Sequence, residues 1–367
     1  MKSKVIALYL PQFHETPENN EWWGKGYSDW VAVKNSKPCF EGHKQPRVPL
    51  NNNYYDLSNP NVIRQQAKLA KEYGIDGFCI YHYYSAGKLQ MHKPAEILLE
   101  NDDIELNYFF SWANHDFRSL WFNGDGHMLR KQEYGTENDW RNHFDYLAQF
   151  FKDKRYIKVD NKPVFVIYDI RSLPDYDLML QKWNEWATYL GFDGLYVIAT
   201  KSVTNFDSKK ILDSKYVNKV FVFEPMNYRT NGFNGGVYYT TKRRIKTVLT
   251  RIYNSIFKSN LKQEKYDVKK IYKAILNRPM LDDELYGIFT DWDNTPRYPG
   301  NALVFKGASP ALFFEYFSKV YKKSCEANKE FIFINAWNEW GESAYLEPDV
   351  MNGFEYLEAV RRAKNES

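Results

Sequence analysis

The 367-residue sequence predicts a (β/α)8 barrel, because eight short apolar runs alternate with helical stretches along the chain. Each run is rich in β-branched or aromatic residues, which is typical of strands buried on both faces of a parallel sheet. An open doubly wound sheet is the alternative, but no Gly-x-Gly-x-x-Gly motif follows the first strand. A chain of this length fits one barrel domain over residues 1–367, with an insertion at about 229–273.

The eight runs define the predicted strands, and the stretches between them show the spacing of amphipathic helices. In the first such stretch, residues at helical spacing from Val62 to Tyr73 form one face of the helix. Gly74 follows at the position where a glycine commonly ends a helix. Two further intervals, around Pro94–Glu100 and Asp207–Ser214, are poorly defined. The predicted strands are Val5–Leu10, Gly77–Tyr81, Leu106–Ser111, Val164–Tyr168, Leu195–Ala199, Val220–Phe223, Tyr286–Thr290 and Phe331–Asn335; the predicted helices include Pro60–Tyr73, Glu137–Phe151, Met179–Leu190, Val268–Leu276 and Pro310–Lys322.

Composition excludes several classes of protein. Hydrophobic residues make up 44% and charged residues 26%, as in soluble globular proteins. Three cysteines without a Cys-x-x-Cys spacing argue against a disulfide framework or a thiolate zinc site. No apolar stretch is long enough to span a bilayer, and the first residues lack a signal-peptide core, so we expect a cytoplasmic protein that is at most peripheral at the inner face of the membrane. A net charge of only +4 disfavours nucleic acid as a partner.

Aromatic residues are unusually frequent. They make up 18% of the chain, with 29 Tyr, 25 Phe and 11 Trp. Flat rings with a polar edge suit a concave site for a ligand that is apolar on its faces and polar at its rim. A sugar ring and a nucleobase both fit this description, so composition leaves the two classes open.

Polar and aromatic residues cluster directly after the predicted strands. In a parallel barrel these positions share one end, where the active site is built. After a single strand the ordinary interpretation is a polar loop, but recurrence after seven strands favours one shared site. The candidate substrate-binding residues are Tyr9, His14, Trp30, Tyr81, His82, Tyr83, Trp112, Asn114, His115, Tyr168, Glu224, Asp291, Trp292, Asp293, Arg297, Trp337, Asn338 and Trp340.

Two glutamates after the last strand are the candidate catalytic residues. Glu339 and Glu342 lie three residues apart, so one helical turn would place both on one face, roughly 5–6 Å apart. At that distance one carboxylate raises the pKa of the other, and the pair divides into an acid and a base. Glycosidic bond chemistry needs this division. The structural alternative is a pair of exposed loop charges.

Other candidates have two interpretations. Trp22 and Trp23 either wall the cleft with Trp30 or pack the first loop onto the barrel. His82, His115 and Asp116 lack the spacing of metal ligands, and recognition of sugar hydroxyls is the favoured role for them. We predict no metal and no cofactor.

A second ambiguous group follows the seventh strand. Asp291, Asp293 and Arg297 either orient the substrate or form an ion-paired network beneath it. No Gly-rich phosphate loop gives independent support for nucleotide binding.

Six segments together carry a resemblance to a known family. They are Tyr9-Leu-Pro-Gln-Phe-His14, Glu21-Trp-Trp-Gly-Lys-Gly-Tyr-Ser-Asp-Trp30, Tyr73-Gly-Ile-Asp-Gly-Phe-Cys-Ile-Tyr-His-Tyr83, Ser111-Trp-Ala-Asn114, Trp292-Asp-Asn-Thr-Pro-Arg297 and Asn335-Ala-Trp-Asn-Glu-Trp340. With these segments the chain resembles, over nearly its full length, the WbsX-type polysaccharide-biosynthesis proteins, which are related to glycoside hydrolase family 99. The related hydrolases are barrel endo-α-mannosidases that retain configuration without a covalent enzyme intermediate.

The resemblance implies roles for the two glutamates. In the related hydrolases one glutamate deprotonates the 2-hydroxyl of the substrate, which attacks the anomeric carbon, and the other protonates the leaving oxygen. Carried over, Glu339 would be the base and Glu342 the acid. This chain has Gly341 where the hydrolases have His, which removes one substrate contact.

The resemblance also implies a biological role and leaves the reaction open. The WbsX-type group is associated with O-antigen and capsule assembly, so an oligosaccharide or a lipid-linked glycan is the expected partner. A glycosyltransferase that uses a sugar-nucleotide or lipid-linked donor, and a non-catalytic glycan-binding barrel, are the alternatives to a glycosidase.

A basic stretch after the sixth strand differs from the rest of the chain. Residues 242–273 hold eleven Lys or Arg and only two acids, a net charge of +9. Within it, apolar residues from Ile245 to Phe257 recur at helical spacing. A basic amphipathic helix can lie on an anionic membrane surface. The alternative is that its apolar face docks on the barrel and its charges are solvated.

Overall fold

The computed structural model describes residues 2–121, 124–202, 206–231, 264–299 and 302–367, together with seven single residues between 241 and 256. Its centre is a barrel of eight parallel strands, and each strand coincides with one of the predicted runs. The strands are β1 (Lys4–Tyr9), β2 (Gly77–Ser85), β3 (Tyr108–Trp112), β4 (Lys162–Ile167), β5 (Tyr196–Lys201), β6 (Lys219–Val222), β7 (Glu284–Phe289) and β8 (Phe331–Asn335).

The barrel is closed through its first strand. β1 pairs with β8 in the register Lys4 to Phe331 and with β2 in the register Ile6 to Gly77. The remaining strands follow in sequence order around the ring, so the predicted barrel is confirmed and the open sheet is not. β2 extends to Ser85, beyond its predicted end, because it forms a hairpin with Lys88–Gln90.

Helices surround the barrel, and all five predicted helices are present. The two poorly defined intervals also contain helices. The helices are α1 (Pro17–Trp23), α2 (Asp29–Asn35), α3 (Pro60–Glu72), α4 (Lys93–Glu100), α5 (Glu137–Phe151), α6 (Tyr176–Tyr189), α7 (Ser208–Leu212), α8 (Met226–Asn231), α9 (Val268–Asn277), α10 (Pro310–Glu326) and α11 (Glu355–Glu366), with 3-10 turns at Leu50–Asn52, Ile170–Ser172 and Trp340–Glu342.

Short strands outside the barrel shape its two ends. They form hairpins in the loops, except for one parallel pair, Glu264–Asp267 with Leu303–Lys306. The others are Lys88–Gln90, Phe117–Arg118, Met128–Arg130, Lys158–Val159, Asn338–Glu339 and Ala344–Tyr345.

Large side chains fill the inside of the barrel. The rings of Phe221 and Phe333 stack with centroids 4.0 Å apart, and Phe109 packs edge-on against Phe333 at 6.1 Å. All three are buried. A barrel packed in this way is a core and not a pore, so a ligand has to bind at its end, among the loops.

The basic insertion leaves the barrel after α8 and returns at Glu264–Asp267. The described residues of the predicted amphipathic stretch, including Ile245 and Ile256, are helical, and their apolar side chains are between 40% and 66% exposed. These side chains are therefore not buried against the barrel. The other residues of 242–263 lie outside the described part of the chain. Within the described residues, no helix combines the length and the apolar character that crossing a bilayer requires.

Candidate active site

A cleft of about 500 Å³ opens at the carboxyl ends of the barrel strands. The end of β2 and the loops after β1, β3, β4, β6, β7 and β8 contribute to its lining, as the distribution of polar residues in the sequence predicts. Both candidate catalytic glutamates, Glu339 and Glu342, line it.

The chain after β8 holds the two glutamates in a short, rigid hairpin. Asn338–Glu339 pairs antiparallel with Ala344–Tyr345, and the 3-10 turn Trp340–Glu342 connects the two strands. This turn is the single helical turn that the three-residue spacing predicts. The backbone amide of Asp293, after β7, also donates to the Glu342 carbonyl over 2.7 Å, which fixes the hairpin against the neighbouring loop.

Arg297 bridges the two glutamates. Its Nη2 lies 2.6 Å from Glu339 Oε1, and its Nη1 lies 3.4 Å from Glu342 Oε1. The same Nη2 lies 2.5 Å from Oδ2 of Asp29, at the start of α2. One buried guanidinium thus faces three carboxylates, and a site with more negative than positive charge retains a proton more readily.

Burial raises the pKa of Glu339 and of Glu342, because a charged carboxylate is poorly solvated in the barrel end. Attraction to Arg297 opposes this effect at both residues. Repulsion between the glutamates raises the pKa of Glu339 further. The pair therefore holds a proton at a pH where free carboxyl groups have lost theirs, which is the state that acid–base catalysis requires.

Gly341, between the two glutamates, makes room for this arrangement. A Cβ atom there would lie 2.6 Å from Arg297 Nε and 2.9 Å from Asp29 Oδ2. Any larger residue has to displace the guanidinium. Because residue 341 is a glycine here, where the related hydrolases have His, the space beside it is free for the Arg297 guanidinium.

Asp29 belongs to the charged group at the site, although the sequence pattern does not single it out. It is fully buried, and its Oδ1 has no hydrogen-bond partner. The residue belongs to the segment Glu21–Trp30 that carries the family resemblance, so the resemblance is the signal that points to it. No local pattern predicts that α2 delivers a carboxylate to an arginine 268 positions along the chain.

A third glutamate supports the hairpin from below. Glu347 is buried and accepts hydrogen bonds from the indoles of Trp337 (3.1 Å) and Trp340 (2.7 Å). It accepts two more from the Tyr55 hydroxyl and the Gln66 amide, each 2.7 Å long. Both tryptophans are fully buried and do not line the cleft, so they exclude water beneath Glu339 and do not stack on a ligand.

Aromatic side chains form a wall of the cleft. Trp23, on α1, stacks on Trp121 with centroids 5.2 Å apart, and Trp22 packs on Phe117 at 5.3 Å. These four residues line the cleft, and the Arg297 guanidinium lies 4.8 Å from the Trp121 ring. Of the two interpretations of Trp22 and Trp23, the structure favours the wall of the cleft.

The structure brings eight of the candidate residues together at the cleft and places the rest around it. Strand geometry explains part of this division: Tyr81 and Tyr83 line the cleft, while His82 between them points outward to His143 of α5, with Nε2 atoms 2.8 Å apart. The candidates that line the cleft are Tyr81, Tyr83, His115, Tyr168, Trp292, Arg297, Glu339 and Glu342.

Two candidate asparagines join neighbouring strand ends. The Asn338 amide donates to the Leu10 carbonyl (3.0 Å) and accepts from its backbone amide (2.7 Å), which ties β8 to β1. Asn114 makes the same pair of bonds with the backbone of Asp169, each 2.8 Å long, which ties β3 to β4. Both position the loops that carry the cleft and do not line it.

The other candidates are buried behind the cleft lining. Glu224 is held by Arg278 and Asn227, and Trp112 donates its indole hydrogen to the Tyr84 carbonyl. The Tyr9 hydroxyl donates to Gln66, and the Trp30 indole donates to the Tyr55 carbonyl. The remaining candidates outside the lining are His14, which is buried, Asp291 and Asp293.

Asp291 and Asp293 belong to a buried network, which is the second of the two interpretations of these residues. Asp291 Oδ2 lies 2.7 Å from Arg47, and Asp293 accepts hydrogen bonds from His43 (2.6 Å) and Gln45 (2.8 Å). Arg297, the third member of that group, instead enters the cleft.

Several lining residues were not predicted from the sequence. They stand in loops and short elements without a distinctive pattern, where only the folded chain shows which side chains face inward. The main examples are Phe117, Arg118, Trp121, Arg229 and Tyr298. In the described part of the chain, no three His, Cys, Asp or Glu side chains are arranged to hold a metal ion.

The fold is similar to that of known glycosidases. The GH99 endo-alpha-mannosidase from Bacteroides thetaiotaomicron superimposes over 99% of this chain and 96% of its own, with a TM-score of 0.59 at 12% identity. A glycoside hydrolase-like protein gives a TM-score of 0.58 at 13% identity, over 99% of this chain and 94% of its own. At this level of identity the likeness shows the fold alone.

Two curated relatives and one family model match the sequence. The relatives, uncharacterized proteins WxcX from two Xanthomonas campestris pv. campestris strains (B100 and ATCC 33913), are each 31% identical over 99% of this chain. The chain spans about half the length of these relatives. The model of the family described as glycosyltransferase WbsX matches residues 5–360. The chain therefore belongs to the WbsX glycosyltransferase family.

Proposed function

We propose that this chain is a carbohydrate-active enzyme that cleaves or transfers a glycosidic linkage, with Glu339 and Glu342 as its acid–base pair. The observation that carries the proposal is the pair itself: buried Glu339 and half-buried Glu342 share one guanidinium in an aromatic-lined cleft. Aromatic walls suit sugar faces, and the carboxyl ends of barrel strands are where barrel enzymes place their chemistry.

The proposed reaction follows the neighbouring-group route that the related hydrolases imply, with Glu339 as base and Glu342 as acid. Glu339 removes the proton of the substrate 2-hydroxyl, and that oxygen attacks the anomeric carbon. The bond to the leaving oxygen breaks as Glu342 protonates it. In the second step water, or an acceptor hydroxyl, loses its proton to Glu342 and opens the three-membered ring, while Glu339 returns its proton to the 2-oxygen.

The contacts with Arg297 support this division of roles. The guanidinium lies closer to Glu339 (2.6 Å) than to Glu342 (3.4 Å), which favours the ionised form of Glu339. The Glu342 side chain is also more exposed, 20% against 9%, and so better placed to meet a leaving group and exchange protons with water. Burial favours the opposite assignment, because it leaves Glu339 with the higher pKa: the pKa is raised to about 8 for Glu339 and to about 7 for Glu342.

An experiment with two kinds of leaving group decides which glutamate is the acid and which is the base. The substrates are α-linked oligosaccharides and the matching α-glycosides of an acidic phenol, with mass-spectrometric detection. We expect Glu339→Gln and Glu342→Gln each to lower turnover of the oligosaccharide by about 10²–10⁴-fold. Only Glu342→Gln should recover on the phenyl glycoside, because a phenolate leaves without protonation. Recovery in Glu339→Gln would reverse the roles, and wild-type turnover in both variants would remove the assignment.

A glycosyltransferase reaction is the second candidate, and the description of the family as glycosyltransferases favours it. Such an enzyme transfers a sugar from a sugar-nucleotide or lipid-linked donor, with Glu339 as the base for the acceptor hydroxyl. It would release nucleotide or lipid diphosphate and stop without donor, whereas a hydrolase needs only oligosaccharide and water. Biological function retained in the double Glu→Gln variant would favour a non-catalytic glycan-binding barrel over both.

We place the reaction in the assembly of a cell-surface polysaccharide, O-antigen or capsule, at the cytoplasmic side of the membrane. The glycan would then be lipid-linked, and the enzyme would meet it at a membrane surface. The exposed apolar residues of the basic insertion support this proposal. Leu249 and Ile252 are 61% and 50% exposed, in a sequence stretch with a net charge of +9. Each Lys or Arg near anionic lipid contributes about 1 kcal/mol.

Sedimentation with lipid vesicles tests the membrane contact. The wild-type chain should co-sediment with phosphatidylserine vesicles at low salt and be released as salt rises. The double variant Leu249→Gln/Ile252→Gln should lose this binding, while the control Leu178→Gln/Tyr189→Gln, which also removes exposed apolar side chains, should keep it. Equal recovery in the supernatant with anionic and neutral vesicles would contradict the contact.

A further inference from the structure

A second cavity, of about 370 Å³, lies behind the loop after β7. Residues of this loop alternate between the two spaces: Trp292 and Asn294 line the cleft, while Asp291 and Asp293 line the second cavity. The second cavity is therefore separated from the glutamate pair by one layer of chain, and its lining takes no part in the reaction proposed above.

Cations dominate the mouth of this cavity. Lys44 and Lys306 line it, and Lys265 reaches the same edge because its Nζ lies 3.7 Å from the ring centroid of Phe40, another lining residue. Lys306 Nζ lies 5.0 Å from the same centroid. Within the described residues, no carboxylate oxygen approaches these three ammonium groups to within 4 Å.

The acidic residues of the cavity are not paired with these lysines. Asp291 already pairs with Arg47 over 2.7 Å. Asp293 already accepts hydrogen bonds from His43 and Gln45. The remaining lining carboxylate, Glu41, is exposed and forms no ion pair with any of the three lysines.

The strand pair at this edge places two lysines on one face. Glu264–Asp267 runs parallel to Leu303–Lys306, with Lys265 opposite Val304 and Asp267 opposite Lys306, so Lys265 and Lys306 lie diagonally on that face. The Asp267 carboxylate accepts a hydrogen bond from the backbone amide of Lys270, at the start of α9. Partial burial and repulsion by Lys306 lower the pKa of Lys265. Two ammonium groups that repel each other in this way are stabilised by an anion placed between them.

Two groups deeper in the cavity also suit an anion. The Arg47 side chain is only 10% exposed, and its Nε has no hydrogen-bond partner. Gly307 and Ala308 line the cavity immediately before α10, whose N-terminal end carries a partial positive charge. Lysines at the rim and the Arg47 guanidinium inside form a complementary set for a phosphate group, and the partial charge of the helix end acts in the same direction.

We propose that this cavity binds a phosphate or diphosphate ester. The group can come from a soluble nucleotide or from a phospholipid, and both sources present the same oxygens to Lys265, Lys306 and Arg47. The site stands beside the return of the basic insertion at Glu264–Asp267. The proposal is independent of the catalytic roles of the glutamates, since none of its residues belongs to the cleft.

Calorimetric titration with inorganic pyrophosphate, at constant ionic strength, tests the site. Wild-type protein should bind one equivalent. The double variant Lys265→Gln/Lys306→Gln should bind at least about tenfold more weakly, since each charge-assisted hydrogen bond contributes a tenfold factor or more. The control Lys209→Gln/Lys210→Gln makes the same charge change with exposed lysines elsewhere and should bind like wild type. Circular dichroism confirms that each variant is folded.

Competition then identifies the source of the phosphate. Displacement of pyrophosphate by uridine diphosphate indicates a soluble nucleotide, and displacement by monomeric short-chain phosphatidic acid indicates a lipid. The proposal is overturned if wild type shows no saturable binding, if the control weakens binding as much as the cavity variant, or if neither ester displaces pyrophosphate.

Discussion

At the scale of single residues, the charge balance around Arg297 governs the protonation of the proposed catalytic pair. One guanidinium faces Asp29, Glu339 and Glu342 in a buried space, so three ionised carboxylates would leave an uncompensated charge there. Retaining one proton relieves this imbalance. The acid form that a glycosidic reaction needs is therefore favoured by the site before any substrate binds.

This balance predicts the pH dependence of turnover. With pKa values raised to about 8 for Glu339 and about 7 for Glu342, kcat/KM should be bell-shaped with its maximum between these values. Below the maximum the pair gains a second proton and the base is lost; above it the shared proton leaves and the acid is lost. The initial rate against pH at low substrate measures this, and a maximum near 4.5 would show that burial does not govern the pair.

Gly341 is predicted to be intolerant of any side chain. The Cβ of Gly341→Ala would meet Arg297 Nε at 2.6 Å, so the guanidinium has to move away from the glutamates. A displacement of about 1 Å in a catalytic site can reduce turnover by about 10²-fold. We expect that loss in kcat/KM with the cooperative thermal unfolding retained. Wild-type kcat/KM in this variant would show that Arg297 does not need its present position.

Glu347 is predicted to matter for stability. In Glu347→Gln an amide NH₂ replaces an acceptor oxygen that faces indole, hydroxyl and amide donors. A buried donor opposite a donor costs about 1–3 kcal/mol of unfolding free energy. Urea denaturation should show this loss, while Glu355→Gln, at an exposed position on α11, should unfold like wild type. Equal midpoints for the two variants would contradict the role given to Glu347.

The candidate residues could be predicted only in part, and strand geometry explains some of the difference. Glu339 and Glu342 follow from their spacing after a buried strand. His82 stands between Tyr81 and Tyr83, and alternation along β2 already implies that it points away from them. Asp29 could not be found by pattern, because its partner Arg297 is distant in sequence and only the closed barrel brings them together.

At the scale of elements, the barrel strands are predictable because burial on both faces gives them an unambiguous apolar signature. The loop elements are less so. α1 has a recognisable start, with Thr16 accepting a hydrogen bond from the Asn19 amide over 3.1 Å and Pro17 in the first turn. Its seven residues are too few to show periodicity, and the position of its tryptophans depends on Phe117 and Trp121 in another loop.

The wall formed by these two loop elements is predicted to set affinity more than rate. Removing the ring in Trp121→Ala leaves Trp23 without its stacking partner and takes apolar area from the cleft. We expect KM for an oligosaccharide to rise by about 2–10-fold, the equivalent of one aromatic contact, with a small change in kcat. Tyr189→Ala removes an exposed ring on α6 and is the control. A fall in kcat alone would place Trp121 with the catalytic groups instead.

At the scale of the whole molecule, the insertion and the cleft share one end of the barrel. The insertion begins after α8, which follows β6, and its return strand Glu264–Asp267 pairs with Leu303–Lys306. Leu303 itself lines the cleft, as does Met226 of α8. A membrane surface that bound the exposed apolar residues of the insertion would therefore face the side of the protein on which the cleft opens.

This geometry predicts that the enzyme prefers glycans presented on an anionic membrane. Binding through the insertion raises the effective concentration of a lipid-linked substrate at the cleft, so the vesicle-bound glycan should be turned over at least about tenfold faster than the same glycan in solution. The preference should disappear in Leu249→Gln/Ile252→Gln and at high salt, while turnover of the soluble glycan stays unchanged, because neither residue belongs to the cleft. An equal loss of both activities in that variant would mean that the insertion supports the fold of the site and not its delivery to a membrane.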